Sequence, residues 1–188
     1  MKDVFYSRHL FPAQRIVAAV EDNFDHDTDV KNALQECQDK LCTDSDLCDG
    51  LLKRVFDSFA DALDELKLNG HKIRPGTGSA QYYAVLTQGD DPELKSTFDG
   101  RKTGEYIASS LAPAPKTKAL GLLSTLQAFN HIDYKRVCNG GPITVELTPD
   151  FFDKNNMKKF IDYIRAFIKC RCQQLQINIL DRSKLIDA

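Results

Sequence analysis

The sequence lacks long apolar segments and has no excess of charge of either sign. Its apolar runs, such as the one around residues 119–123, are far shorter than the roughly 18 residues that a membrane-spanning helix needs. Twenty-five basic and 27 acidic residues leave a net charge of −2. This balance argues against a protein-wide electrostatic surface for nucleic acid or anionic lipid. We therefore expect neither a nucleic-acid partner nor a membrane partner.

Cysteine is scarce, and a secretion signal is missing. The six cysteines make up about 3 % of the chain, whereas disulfide scaffolds contain roughly 8–10 %. Arg8, His9 and Arg15 interrupt the N-terminal residues where a secretory signal would have its apolar core. The sequence thus predicts a cytoplasmic protein with reduced thiols. Apolar residues, at 42 % of the chain, suffice for a sizeable core.

Apolar residues at helical spacing predict helices in the N-terminal third, over residues 12–23, 30–41 and 47–68. The third pattern is the clearest, and Asn69-Gly70 is expected to end that helix. Between residues 75 and 115 glycine and proline are frequent, so this stretch is expected to be mostly loop. We expect a single domain or fragment over 1–188, with a helical part at 1–70, a loop-rich segment at 71–118 and an α/β part at 119–188.

The α/β part shows a strand, helix and strand in sequence. Residues 143–147 and 174–180 alternate between apolar and polar, which is typical of strands. Asp150 is a candidate N-cap for a helix over residues 151–170. Such a helix is long enough to cross over and make the two strands parallel neighbours. The predicted fold class is therefore α/β with a helix-rich N-terminal third.

Acidic residues at 25, 27, 29 and 36 match some positions of a calcium-binding loop. The position that needs a glycine for its left-handed turn is Val30, so a solvated acidic loop is the better interpretation and a calcium-sensing helical protein the alternative. The spacing of Cys37, Cys42 and Cys48 does not fit a zinc site. We therefore expect no metal in this chain.

Several motifs, taken in order, resemble the distal part of the glycyl radical enzymes, the family of pyruvate formate-lyase. The most specific is the segment over residues 98–105, Phe-Asp-Gly-Arg-Lys-Thr-Gly-Glu, which is similar to the family's Pro-Asp-Gly-Arg-Lys-x-Gly-Glu and is followed by Ala112-Pro113. Residues 122–126 match an Ala-x-Leu-x-Ser-Val segment less closely. Residues 175–181 and 185–188 resemble a Gln-x-Asn-Val strand and a Leu-x-Asp-Ala helix start.

The resemblance implies part of an α/β barrel of the pyruvate formate-lyase type. Intact members store a protein glycyl radical, installed by a radical S-adenosylmethionine activase, in an Arg-Val-x-Gly-Tyr loop, and they use a cysteine thiyl from a separate loop. Neither motif occurs in these 188 residues. We thus expect a fragment or truncated paralogue of a formate acetyltransferase-like lyase or transferase of anaerobic metabolism. It would supply barrel scaffold and part of the substrate cavity wall, with no catalytic residue and no cofactor of its own.

Two residues are candidates for contacting the substrate of the intact enzyme. Tyr83 could supply a hydroxyl, and Arg101 could bind a carboxylate. In the alternative interpretation, Arg101 is a structural donor in a turn and Tyr83 is a core aromatic. The expected partner is the remainder of the enzyme or a partner subunit, with a homodimer as a further possibility. The alternative function is a non-catalytic interaction module that associates with a partner enzyme through an uncovered apolar face.

Overall fold

A computed structural model describes residues 2–72, 87–89, 91–136, 141–181 and 183. Tyr83, the apolar run at 82–86, the turn residues 139–140 and the motif at 185–188 lie outside these ranges. The chain divides into two compact units. One comprises Met1–Lys40 with Gln81–Ile107, and the other comprises Leu41–Ala80 with Ala108–Ala188.

The first unit is built on a short π-helix, Lys2–Ser7, followed by α1 (Ala13–Glu21) and α2 (Thr28–Gln35). Its core is a cluster of seven buried apolar residues, Val4, Ile16, Ala19, Val20, Phe24, Val30 and Leu34. The helix predicted from 12 is thus confirmed. The helix predicted over 30–41 instead runs from Thr28 to Gln35. It begins earlier than predicted because the Asp27 side chain caps it by accepting a hydrogen bond from the Val30 amide (3.2 Å).

The twelve-residue calcium loop is not formed. Residues 28–35 are helical, and the Asp27 carboxylate binds the Arg15 guanidinium, with Nε to Oδ2 at 2.6 Å. Asp25 pairs instead with Lys102 (Nζ to Oδ1 2.6 Å). Asp25 and Asp27 therefore pair with basic side chains, and Asp27 also caps the start of α2.

The second unit opens with the longest helix, α3 (Asp46–Glu65), capped by Ser45, whose hydroxyl accepts from the Cys48 amide. It is followed by a small antiparallel hairpin, β1 (Lys67–Leu68) and β2 (His71–Lys72). The expectation that Asn69-Gly70 ends the helix is wrong. α3 ends at Glu65, and these two residues, both at positive φ, form the two-residue hairpin turn that such a pair favours.

The α/β part of the second unit contains α4 (Leu122–Phe129), β3 (Pro142–Leu147), α5 (Met157–Lys169) and β4 (Gln174–Ile179). Strands β3 and β4 pair in parallel, as predicted. The helix between them begins later than expected, and Asp150 is not its cap. Residues Pro149–Phe152 form a 3₁₀ turn, and Phe151 and Phe152 pack edge-on against Phe160 of α5.

The core of the second unit includes Phe56, Leu126, Phe129, Ile143, Val145, Leu147 and Tyr163. Apolar side chains of α5 and β4 pack around this cluster. The described strands form one parallel pair and one hairpin, and no closed sheet is present among them. No described helix is both long and apolar enough to cross a membrane.

Candidate functional site

The family-like motif lies in a loop of the first unit, residues 94–105, which we call the motif loop. Arg101 is buried at its centre. Its Nη1 donates to the carbonyls of Lys102 (3.0 Å) and Glu105 (2.8 Å), and its Nη2 donates to those of Leu94 (3.4 Å) and Lys95. One guanidinium thus joins four backbone carbonyls, which closes the loop on itself. Nε is buried without a partner in the described part of the chain.

Two glycines shape the same loop. Gly100 (φ 89°) and Gly104 (φ 86°) adopt backbone conformations that other residues rarely take. At Gly100 the loop also touches α2, since a Cβ would lie 2.7 Å from Gln35 Cγ and 3.0 Å from the Lys31 carbonyl oxygen. The Gln35 amide donates to the Gly100 carbonyl (2.9 Å). Gly100 is thus required both by φ and by close approach.

Two hydrogen bonds fasten the motif loop to α1 and to the turn that follows α1. The amide of Thr103 donates to Asn23 Oδ1 (2.8 Å), and the Ser96 hydroxyl donates to the Val20 carbonyl. The Glu105 carboxylate accepts from the Lys102 amide (2.9 Å). The motif is therefore an anchoring structure, and its geometry explains why these residue types occur together.

The structure describes one of the two sequence-predicted site residues. Arg101 is in the motif loop with both terminal nitrogens engaged by carbonyls. Tyr83 lies outside the described residues, so its role in substrate binding stays a prediction.

A buried acidic group in the second unit was not found from the sequence. Asp49, in the first turn of α3, has one carboxylate oxygen 3.6 Å from His131 Nε2 and the other without a partner among the described residues. Burial raises the pKa of Asp49, while the nearby His131 opposes this shift. Residues 49 and 131 are too far apart in sequence for a local pattern to connect them.

The described cysteines are free thiols. Burial raises the pKa of Cys42 and of Cys172 to about 11, so both stay protonated at neutral pH. No described side chains form a group of three or more potential metal ligands. The Cys42 and Cys172 thiols are thus core groups.

Comparison with known proteins gives a family match over part of the chain and a fold. Residues 107–188 match the family model described as glycine radical. The whole chain superimposes on the B12-independent glycerol dehydratase of Clostridium butyricum with a TM-score of 0.83 and 17 % identity, covering 23 % of that chain. It also superimposes on the hydroxyproline dehydratase of Clostridioides difficile (TM-score 0.81, 15 % identity, 24 % of that chain).

A third solved structure, from a study of 1,2-propanediol dehydration in Roseburia inulinivorans, matches with a TM-score of 0.79 and 19 % identity over 24 % of its chain. At these identities the likeness shows the fold. The chain spans about a quarter of the length of the structures that it matches.

Proposed function

We propose that the chain forms part of a glycyl radical enzyme, as barrel scaffold and cavity wall; the match of residues 107–188 to the glycine radical family model supports this. The observation that carries the proposal is the parallel β3–α5–β4 unit within the matched range. Parallel sheets occur almost only with both faces covered and with neighbouring strands at their edges. A two-stranded parallel unit is therefore suited to being one section of a larger barrel.

The proposed role is structural and does not include generating the radical. The intact family carries a protein glycyl radical, whereas these 188 residues contain no Arg-Val-x-Gly-Tyr motif. The buried cysteines with raised pKa values do not resemble an exposed hydrogen-abstracting thiol. The four carbonyls around Arg101 support a positioning role for this residue in the motif loop, and Tyr83 remains the candidate for substrate contact.

Within the family, we assign the chain to lyase chemistry, specifically dehydration. Three solved structures of similar fold concern dehydrations of glycerol, 1,2-propanediol and hydroxyproline. This assignment replaces acyl transfer as the preferred reaction. We further propose that the protein acts in the cytoplasm and in anaerobic metabolism, as the resemblance to this family implies.

The surface of α3 supports a requirement for a partner. Leu51, Val55 and Phe59 recur at steps of four residues and are between 45 % and 69 % exposed. A continuous apolar stripe on a long helix is typical of a face that another element covers. The remainder of the enzyme is the proposed cover. A non-catalytic interaction module, which would use the same stripe to bind a partner enzyme, is the second candidate.

The native size of the protein tests the proposal. The chain has a mass of 21.2 kDa and covers 23 % of the glycerol dehydratase chain, so an intact enzyme of that size (21.2/0.23) would be about 92 kDa. Antibodies raised against residues 46–65 would be used on denatured and native extracts from the source cell. We expect a polypeptide of about 92 kDa, or a 21 kDa polypeptide within a particle at least that large.

The same measurement separates the alternatives. A 21 kDa polypeptide that migrates as a monomer under native conditions would contradict both the enzyme-part proposal and the interaction module. A 21 kDa polypeptide bound to an already complete radical enzyme would favour the interaction module.

A further inference from the structure

The turn between α5 and β4 carries two cysteines, Cys170 and Cys172, separated by Arg171. Arg171 has a positive φ of 56°, which for a residue other than glycine lies in the left-handed helical region. Two backbone hydrogen bonds hold this bend. The Cys170 amide donates to the Ala166 carbonyl (2.9 Å), and the Arg171 amide donates to the Ile168 carbonyl (3.0 Å). We call residues 170–172 the thiol turn.

The bend at Arg171 suits a disulfide between its two neighbours. A helical bend of either hand brings the Cα atoms of residues i and i+2 to about 5.5 Å, whereas an extended chain separates them by roughly 6.6 Å. Disulfide-bonded cysteines most often have Cα atoms about 5.5–6 Å apart. The Cys172 thiol also turns back toward its neighbour, since its Sγ lies 3.9 Å from the Cys170 carbonyl oxygen. The backbone therefore holds the two thiols near each other before any bond forms.

The two cysteines contact the same core cluster but differ in exposure. Cys172 is a buried member of the core cluster of the second unit, and Cys170 is half-buried and packs against that cluster. Burial raises the pKa of Cys172 to about 11, so this thiol stays protonated at neutral pH. Cys170 is therefore the cysteine of the pair that a small oxidant in solution reaches first.

We propose that Cys170 and Cys172 form a peroxide-reactive dithiol that closes reversibly to a disulfide within the thiol turn. In the first step, the Cys170 thiolate attacks one oxygen of hydrogen peroxide and the O–O bond breaks. The hydroxide that leaves takes up a proton from solvent, which gives water and the sulfenic acid of Cys170. In the second step, the Cys172 sulfur attacks the Cys170 sulfur, the S–O bond breaks, and the hydroxyl group leaves with the Cys172 proton as a second water. The two sulfurs together lose two electrons, which reduce one peroxide to two waters.

The proximity of Cys172 decides the fate of the sulfenic acid. A sulfenic acid beside a thiol condenses to a disulfide, which other thiols can reduce, whereas an isolated one goes on to sulfinic acid, which they cannot. Cys172 is a weak nucleophile while protonated, but its attack is intramolecular across one residue, so its effective concentration is high. The pair thus protects the turn between α5 and β4 from irreversible oxidation. The reaction needs only these residues and a peroxide, so it does not depend on the proposed role in an enzyme.

Tryptic digestion distinguishes a bridged pair from an open one, because trypsin cuts after Lys169 and Arg171 and so separates the two cysteines. The native protein, as the polypeptide or assembly identified by its size, would be treated with hydrogen peroxide, its remaining thiols blocked, and the digest measured by mass spectrometry. We expect the dipeptide 170–171 to stay attached to the fragment 172–182 and to be released by dithiothreitol. Cys37 is the control within the same protein, since it is also half-buried but five residues from the nearest cysteine. It should show sulfenic or sulfinic acid and no bridge.

Three variants test the order of the two steps. Cys172→Ser should leave Cys170 as a sulfenic acid that a 1,3-diketone captures, Cys170→Ser should leave Cys172 unmodified, and Cys37→Ser should leave the yield of the bridge unchanged. Far-UV circular dichroism would show that each variant keeps the wild-type fold. In the wild type, sulfinic acid at Cys170 without a bridge, a bridge from Cys170 to any other cysteine, or no reaction at Cys170 would overturn the proposal. The wild-type digest decides this even where a variant does not fold.

Discussion

The contact between the motif loop and α2 gives a quantitative prediction for Gly100→Ala. The added methyl group would meet Gln35 Cγ at 2.7 Å and the Lys31 carbonyl oxygen at 3.0 Å. The backbone carbonyl is fixed within a helix, so the loop must shift. Overpacking of this kind costs about 1–3 kcal/mol. An alanine at φ 89° costs a further 1–2 kcal/mol or so.

Gly104→Ala is the matched control, because Gly104 has nearly the same φ (86°) but no atom within 4 Å of the position of a Cβ. It should lose only the backbone share, about 1–2 kcal/mol. Gly50→Ala, within α3 and also without close neighbours, should stabilise by about 0.5–1 kcal/mol. Gly100→Ala thus measures the cost of the close contact together with that of the positive φ, Gly104→Ala measures the cost of the positive φ alone, and Gly50→Ala measures the effect of replacing glycine without either.

Urea unfolding followed by far-UV circular dichroism is the assay, since the chain has no tryptophan. Hydrogen–deuterium exchange of the folded protein, followed on the proteolytic fragment that covers residues 28–36, would show whether the loss of stability lies in α2. We expect Gly100→Ala to be less stable than Gly104→Ala by about 1–3 kcal/mol and to accelerate exchange in α2. Equal stabilities, or unchanged exchange in α2, would refute the packing of the motif loop against this helix.

Three further predictions concern charged groups. Arg101→Lys should destabilise the motif loop by about 2–3 kcal/mol, because one ammonium cannot reach four carbonyls; unchanged hydrogen exchange over 94–105 would contradict this. Asp27→Ala should cost about 1–2 kcal/mol at pH 7 through loss of the α2 cap. The hydrogen bond from Arg15 lowers the pKa of Asp27 in the folded protein. The stabilisation by the Asp27 carboxylate is therefore complete above the ordinary pKa of an aspartate and is lost as the pH falls through the lowered pKa of the folded state. A difference in the free energy of unfolding between Asp27→Ala and the wild type that does not change with pH would contradict this. Burial raises the pKa of Asp49, so the wild-type protein loses stability as the pH rises and this carboxyl group ionises. Asp49→Asn should therefore be more stable than the wild type at pH 7, and this difference should disappear below pH 3.8. A variant less stable than the wild type at pH 7 would contradict this prediction.

Sequence patterns predicted those elements whose residues repeat at a fixed period. The apolar spacing of α3 and the alternation of β4 each carry their own signal, and the parallel pairing follows from the crossover helix between the strands. The predicted start of α5 was wrong because Asp150 has the chemistry of a cap, whereas the chain first makes a 3₁₀ turn that packs the half-buried Phe151 and Phe152 against Phe160. Tertiary packing decided that boundary.

The hairpin and the motif loop show two other limits. Asn69-Gly70 is a turn signal for both a helix end and a hairpin, and strands of two exposed residues add no periodicity to decide between them. The bonds from Thr103 to Asn23 and from Gln35 to Gly100 join residues 80 and 65 positions apart, which no local pattern connects. The resemblance located the motif, but the structure was needed to show that it anchors a loop.

Electron paramagnetic resonance under anaerobic conditions shows whether a glycyl radical forms on the 188-residue polypeptide or only on a larger assembly. The 188-residue polypeptide and the native assembly that contains it would each be incubated with a radical S-adenosylmethionine activase. We expect a stable doublet signal from the assembly and none from the polypeptide alone. A doublet on the isolated polypeptide, or an assembly that never acquires one, would contradict the claim that this chain is a structural part of a glycyl radical enzyme.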